Sequence, residues 1–200
     1  ELFPVLRVLA DRRSQPAKFL LLGSASPELA KHSSETLAGR IEFVTMGGFT
    51  CREVFSEGGR KLLTRGGFPP SYLARDDENS YDWRDNFIQT FLERDLGQMG
   101  VNVPAEVLRR FWMMVAHTHG QVWNASEIGG ALGVSYMTSK RYLDIMTHAF
   151  MVRQLQPWHE NIAKRQVKSP KIYLRDTGIL NVLLGLRTER EMQSHPKMGF

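Results

Sequence analysis

An α/β segment at the start of the chain, joined to a mostly α-helical remainder, is the fold class that three features of the sequence predict. The first is Phe19-Leu20-Leu21-Leu22-Gly23-Ser24, four consecutive large apolar residues closed by Gly and a hydroxyl, which read as a strand buried on both faces. The second is Ile41-Glu42-Phe43-Val44-Thr45-Met46, another strand-like run, entered through Gly39-Arg40. The third is the change of period further on, where Val107, Leu108, Phe111, Trp112 and Val115 form one helical stripe.

Taken in order, Leu2, Val5, Leu6 and Leu9 follow the i, i+3, i+4, i+7 spacing of a short helix that ends before Pro16 and covers one face of the sheet. Ser26-Pro27-Glu28 sets a capping hydroxyl before a Pro at the first helical position, so a helix runs from there to about Ala38. Strand, helix and strand make a parallel crossover unit, and ligands of open α/β sheets sit at the strand ends. From Gly47 to Arg75 the chain is Gly-rich, with Gly58-Gly59, Gly66-Gly67 and Pro69-Pro70 at turns, and reads as a linker interrupted by a short helix near 51–56. The acidic run Asp76-Asp77-Glu78 reads as a solvated helix start ahead of a long helix from about 81 to 99, and Pro104 opens the next helix.

The run 124–135 is the most specific local signal of the second half. A short helix ends at Gly133, Val134 packs beneath the turn, and Ser135 caps a longer helix bearing Met137, Arg141, Tyr142, Leu143 and Met146. That is a helix-turn-helix. Strand candidates at 151–158 and 171–174, split by a basic loop, stand where a wing hairpin follows a recognition helix. Val152, Leu155, Ile172 and Leu174 are their expected half-buried positions. A last apolar helix covers 177–186. The resulting division is an α/β half-domain at 1–50, a linker at 51–78, a helical lid or spacer at 79–120, a winged helix at 121–186 and a tail at 187–200.

Composition narrows the function classes. Hydrophobic content of 42% with 24% charge is ordinary for a globular chain of 200 residues. The single Cys51 excludes an internal disulfide and a four-cysteine zinc site, and it fits a reducing compartment. No apolar run approaches the ~20 residues that cross a bilayer, so a cytoplasmic protein without a membrane partner is expected. His117 and His119 are two apart and point apart on a helix, so no metal site is assigned. The net charge is +5, and six basic residues against two acidic ones lie between Met151 and Gly178. The charge is therefore concentrated in the wing region.

Four places together resemble one family: Leu-Leu-Leu-Gly-Ser at 20–24; Leu-Ala-Gly-Arg-Ile at 37–41; Arg-Gly-Gly-Phe-Pro at 65–69 with Glu-Arg-Asp-Leu at 93–96; and Ser-Pro-Lys-Ile-Tyr-Leu-Arg-Asp-Thr-Gly at 169–178. They are similar to the bacterial and archaeal AAA-type ATPases that carry a winged helix followed by a C-terminal domain of unknown function. The resemblance implies that residues 1–50 are the C-terminal half of a P-loop ATPase domain. It places the phosphate loop and the magnesium-holding acidic strand upstream of residue 1. ATP and magnesium are then cofactors of the full-length protein, and none is expected in this chain alone. The sequence holds no Gly-x-x-x-x-Gly-Lys-Ser/Thr, since Gly59-Arg60-Lys61 lacks the Gly-Lys pair.

By the same resemblance Ser24 occupies the polar sensor position that orients the attacking water. Arg40 occupies that of an arginine reaching a neighbouring subunit's nucleotide, which implies a homo-oligomer. Ser24 equally suits a small residue at a strand-to-helix turn, and Arg40 a cation at a helix C-terminus. Arg94 and Asp95 read as an ion pair, with nucleotide sensing by Arg94 as the sharper alternative. For nucleic acid the candidates are Lys140 and Arg141 on the recognition helix, with Tyr136, Thr138 and Ser139 beside them, and Lys164, Arg165, Lys168 and Lys171 in the wing. Residues 124–150 carry no net charge, so DNA contact of weak specificity through the wing is expected, or a protein partner instead. The sequence thus admits an ATP-dependent switch with a winged helix, a winged-helix DNA-binding regulator without ATPase activity, or a protein-interaction scaffold.

Overall fold

The computed structural model describes residues 2–12, 18–23, 39–54, 59–158 and 169–196. They belong to two compact units, Glu1–Met46 and Gly47–Phe200.

In the first unit the helix α1 (Leu2–Ala10) is the one regular element among the described residues. Leu6 is buried, whereas Val5 and Val8 on the same helix are exposed. The Nε of Arg40 donates to the Asp11 carboxylate at 2.7 Å, tying the turn at 39–40 to the end of α1. Residues 18–23 and 41–46, expected as parallel strands, carry no strand pairing, and Leu20, Leu22, Val44 and Met46 are each more than 80% exposed. An apolar run sets the side-chain pattern of a strand, but the ladder bonds come from a neighbour, and neither run has one among the described residues. The helix expected at 27–38, with Ser24 and Ser26 before it, lies outside those residues.

The second unit is helical with one small sheet. α2 (Cys51–Val54), α3 (Gly59–Arg65) and α4 (Pro69–Tyr72) fill much of the stretch expected to be a linker. Two of its glycines serve close packing. Gly66 has φ +76° and lies against the Asp176 carboxylate, while Gly67 donates its N–H to Asp176 Oδ2 at 2.7 Å and its carbonyl accepts the Phe49 N–H at 2.7 Å. α5 (Asp77–Thr90) begins at an Asp76 cap, earlier than its apolar period suggests, and continues through a π-helical turn (Phe91–Asp95) into α6 (Leu96–Gln98).

α7 (Ala105–His117) buries Leu108, Phe111, Trp112, Val115 and Ala116 and forms the centre of the core. Rings run in contact from Trp83 through Phe87 and Phe91 to Trp112 at centroid spacings of 5.4, 5.9 and 5.5 Å. α8 (Ala125–Leu132), α9 (Tyr136–His148), β1 (Val152–Leu155), β2 (Lys171–Leu174), α10 (Thr177–Leu183) and α11 (Glu189–Ser194) follow. α10 packs on α3, α5 and α7, so the regions expected as separate modules share a single hydrophobic cluster that runs from Tyr81 to Leu183. The expected tail holds α11, closed at its start by a reciprocal Thr188 and Glu191 capping box. No helix among the described residues is long and apolar enough to cross a membrane.

Candidate nucleic-acid interface

Local rules build the helix pair. The Asn124 side chain accepts the Glu127 N–H at 3.2 Å and starts α8, and the left-handed Gly133 (φ +72°) ends it. Val134 returns its N–H to the Gly129 carbonyl at 2.9 Å, and Ser135 Oγ accepts the Thr138 N–H at 3.1 Å to start α9. α9 turns Tyr142, Leu143, Ile145 and Met146 inward and leaves Tyr136, Met137, Lys140 and Arg141 exposed. Ser139 is completely buried, so it is not available to a ligand on this face, and Thr138 is occupied with the Ser135 cap.

After Phe150, whose φ of +60° turns the chain away from α9, β1 and β2 form an antiparallel hairpin. The segment before α8 adds a third edge: Gly120 N–H to Ile172 O at 2.7 Å, Ile172 N–H to Gln121 O at 3.0 Å, and a bridge between Val122 and Lys171. Gln154 Nε2 fastens β1 to α9 through Thr147 Oγ1 at 2.9 Å and Asp144 Oδ1 at 3.2 Å. His119 Nδ1 accepts the Leu174 N–H at 3.0 Å, which an unprotonated nitrogen alone can do, and its ring meets Tyr173 edge-on.

The register decides what this hairpin offers. Val152, Ile172 and Leu174 face the core, while Arg153 stands directly opposite Tyr173, and Leu155 opposite Lys171. Leu155 is 45% exposed, against its expected half-buried place, because it sits three residues from Val152 and so on the other face of a period-two strand. Arg175 continues the outer row and lies over the Phe150 ring at 5.5 Å. Arg153, Leu155, Tyr173, Leu174 and Arg175 line a concavity of about 490 Å³. Its lining contains two guanidinium groups and no carboxylate, with exposed Lys171 beside it.

Of the residues singled out from sequence, Lys140, Arg141 and Lys171 are exposed on α9 and β2. Lys164, Arg165 and Lys168 lie outside the described residues, as does Ser24. Arg40 is in its ion pair with Asp11, which raises the pKa of its guanidinium by hydrogen bonding and lowers that of the aspartate. Arg94 pairs with its neighbour Asp95 at 3.7 Å on the exposed side of the π-helical turn. Arg153 and Arg175 enter the sequence reading only as part of the basic wing stretch and Tyr173 not at all, although the period-two spacing of Lys171, Tyr173 and Arg175 is a readable sign of a shared face.

A family model described as "Domain of unknown function (DUF8612)" matches residues 57–190. An uncharacterized protein of Mycobacterium tuberculosis and one of Mycobacterium bovis are each 54% identical over 199 residues, covering 100% of this chain and 45% of their own length. The chain therefore spans less than half the length of these relatives. No solved structure matches it.

Proposed function

We propose that this chain, which belongs to the DUF8612 family, carries a winged helix that contacts the nucleic-acid backbone through the outer face of its hairpin. The observation that carries the reading is the row of Arg153, Lys171, Tyr173 and Arg175 on one hairpin face, without a carboxylate among them. Such a row neutralises phosphates and offers an aromatic surface, while α9 presents only Lys140 and Arg141 against Asp144. Contacts of this kind hold a duplex in place but select its sequence poorly. The succession of α7, the 120–123 edge, α8, α9 and the hairpin supports naming the module a winged helix.

In the wider reading this module is the output of an AAA-type, ATP-dependent switch, with ATP and magnesium held elsewhere in a longer protein. The resemblance at 20–24 and 37–41 supports it, with Ser24 and Arg40 in the sensing and charge-stabilising roles. Its test is ATP hydrolysis by the full-length protein.

The interface is tested by anisotropy titration of a labelled duplex at several salt concentrations. Arg153→Ala/Arg175→Ala weakens binding to all duplexes alike and flattens the dependence of log K on log salt by about 2, since each guanidinium removed leaves one phosphate to keep its counterions. Equal affinity and equal slope in the two proteins reject the reading. They would favour a protein partner instead, for which the exposed Met137 and Trp158 are the supporting feature.

A further inference from the structure

A second basic concavity lies away from the hairpin. Its cations are Arg60, Lys61 and Arg65 on α3, Arg84 on α5 and Arg187 before α11, and its carboxylates are Asp77 and Glu189. The carboxylates are already engaged: Asp77 with Arg65 at 2.7 Å, Glu189 with Arg60 at 2.8 Å. Lys61, Arg84 and Arg187 have no ion pair among the described residues. Lys61 lies over the Tyr72 ring at 4.5 Å and Arg187 over the Tyr81 ring at 4.4 Å, contacts that orient a cation without neutralising it.

Arg84 is the unusual member. It is 2% exposed, and its bonds run to three main-chain carbonyls: Nε to Ser80 at 3.0 Å, Nη1 to Thr64 at 3.0 Å and to Gly178 at 2.8 Å. These occupy three of its five N–H donors, and no hydrogen bond of Nη2 is found among the described residues. Burial lowers its pKa, opposed by the charge of Asp176. A guanidinium held rigidly at the wall of a cavity, with the two N–H donors of Nη2 left over, has the charge and the spare donors to receive an anion.

We propose that this cavity binds a small phosphate-bearing molecule, with Arg84 as its fixed base and Lys61 and Arg187 closing on the phosphate oxygens. Three cations without an ion pair of their own, Arg84 and Arg187 being partly offset by the nearby charges of Asp176 and Glu191, match a phosphate monoester or diphosphate, which brings roughly two charges per group, better than a carboxylate, which brings one. The volume of about 270 Å³ is just under the ~300–1,000 Å³ of ordinary ligand pockets, so a mononucleotide is the upper limit of size. The site is independent of the hairpin and of the reading given to it.

Calorimetric titration of the chain with inorganic phosphate, pyrophosphate, AMP and a short DNA duplex tests the proposal. Pyrophosphate or AMP binds saturably, and Lys61→Ala/Arg187→Ala, which leaves Arg84 in place, weakens that binding roughly tenfold or more. Glu189→Gln, which frees Arg60, strengthens it, and duplex binding is the same in all three proteins. The proposal is overturned if no phosphate compound binds, if neither variant changes the affinity, or if duplex affinity falls together with that for pyrophosphate, which would make the cavity part of the DNA surface.

Discussion

The carboxylate of Asp76 accepts the Asn79 main-chain N–H at 2.8 Å and its side-chain amide at 2.7 Å, and lies 3.1 Å from Arg75 Nε. These partners, the Asn79 N–H first, lower its pKa from 3.8 to about 2. A carboxylate with a depressed native pKa adds stability that is present above its unfolded value and is lost as pH falls through the native one. The window here is therefore from 3.8 down to about 2. Asn caps a helix as well as Asp does but does not titrate. Asp76→Asn should thus flatten the loss of stability across that window, measured by urea unfolding at successive pH values. Parallel curves for the two proteins would refute the assignment. Half-buried Asp176, whose pKa is raised chiefly by desolvation, acts in the opposite sense, but it is common to both proteins and cancels.

Within one helix, two adjacent glycines of α8 separate propensity from packing. Gly130 has open space where a Cβ would be, so Gly130→Ala recovers helix propensity and stabilises by about 0.5–1 kcal/mol. A Cβ on Gly129 would lie 2.9 Å from the Val134 carbonyl oxygen, an atom fixed by the same turn that sends α9 on its way. Gly129→Ala therefore destabilises by about 1–3 kcal/mol, since the turn must open to admit it. Thermal unfolding of the two single variants should give Tm shifts of opposite sign, and shifts of one sign would show that this turn yields freely. Both glycines are legible in the sequence as members of one motif, but the direction of each effect is not. The distinction arises only when Val134 folds back over one of them.

Two distant stretches of the second unit are joined where Arg65, Gly66 and Gly67 meet Asp176 and Gly178. The Gly67 N–H is bonded to a carboxylate 109 residues away, and the Arg84 guanidinium joins the carbonyls of Thr64 and Gly178. A Cβ on Gly178 would overlap the Arg65 carbonyl and press on Arg84 Cδ. By propensity Gly178→Ala should help α10, yet here it should destabilise by about 1–3 kcal/mol, because main chain and a buried arginine both stand in the way. Chemical denaturation checks the sign. A neutral or stabilising result would mean that α10 is not seated on α3 as described. The motifs Arg-Gly-Gly-Phe-Pro and Arg-Asp-Thr-Gly stand far apart in sequence, and what relates them is this contact.

The longer helices of the second unit, the Ser135 cap and the turn at Gly133 can be read from the order of residues, because cap and turn bonds close within three or four residues and apolar stripes repeat within one or two turns. Asp76 and Ser135 are legible in this way. It takes the packed chain to establish that residues 51–78 hold packed helices where a linker was expected, that Ser139 points inward, and that Arg153, Tyr173 and Arg175 share an outer face. The same packing brings Lys61, Arg84 and Arg187 around one cavity. Each of these depends on the register of a hairpin or on helices that meet across a hundred residues, and such distances carry no periodic signal.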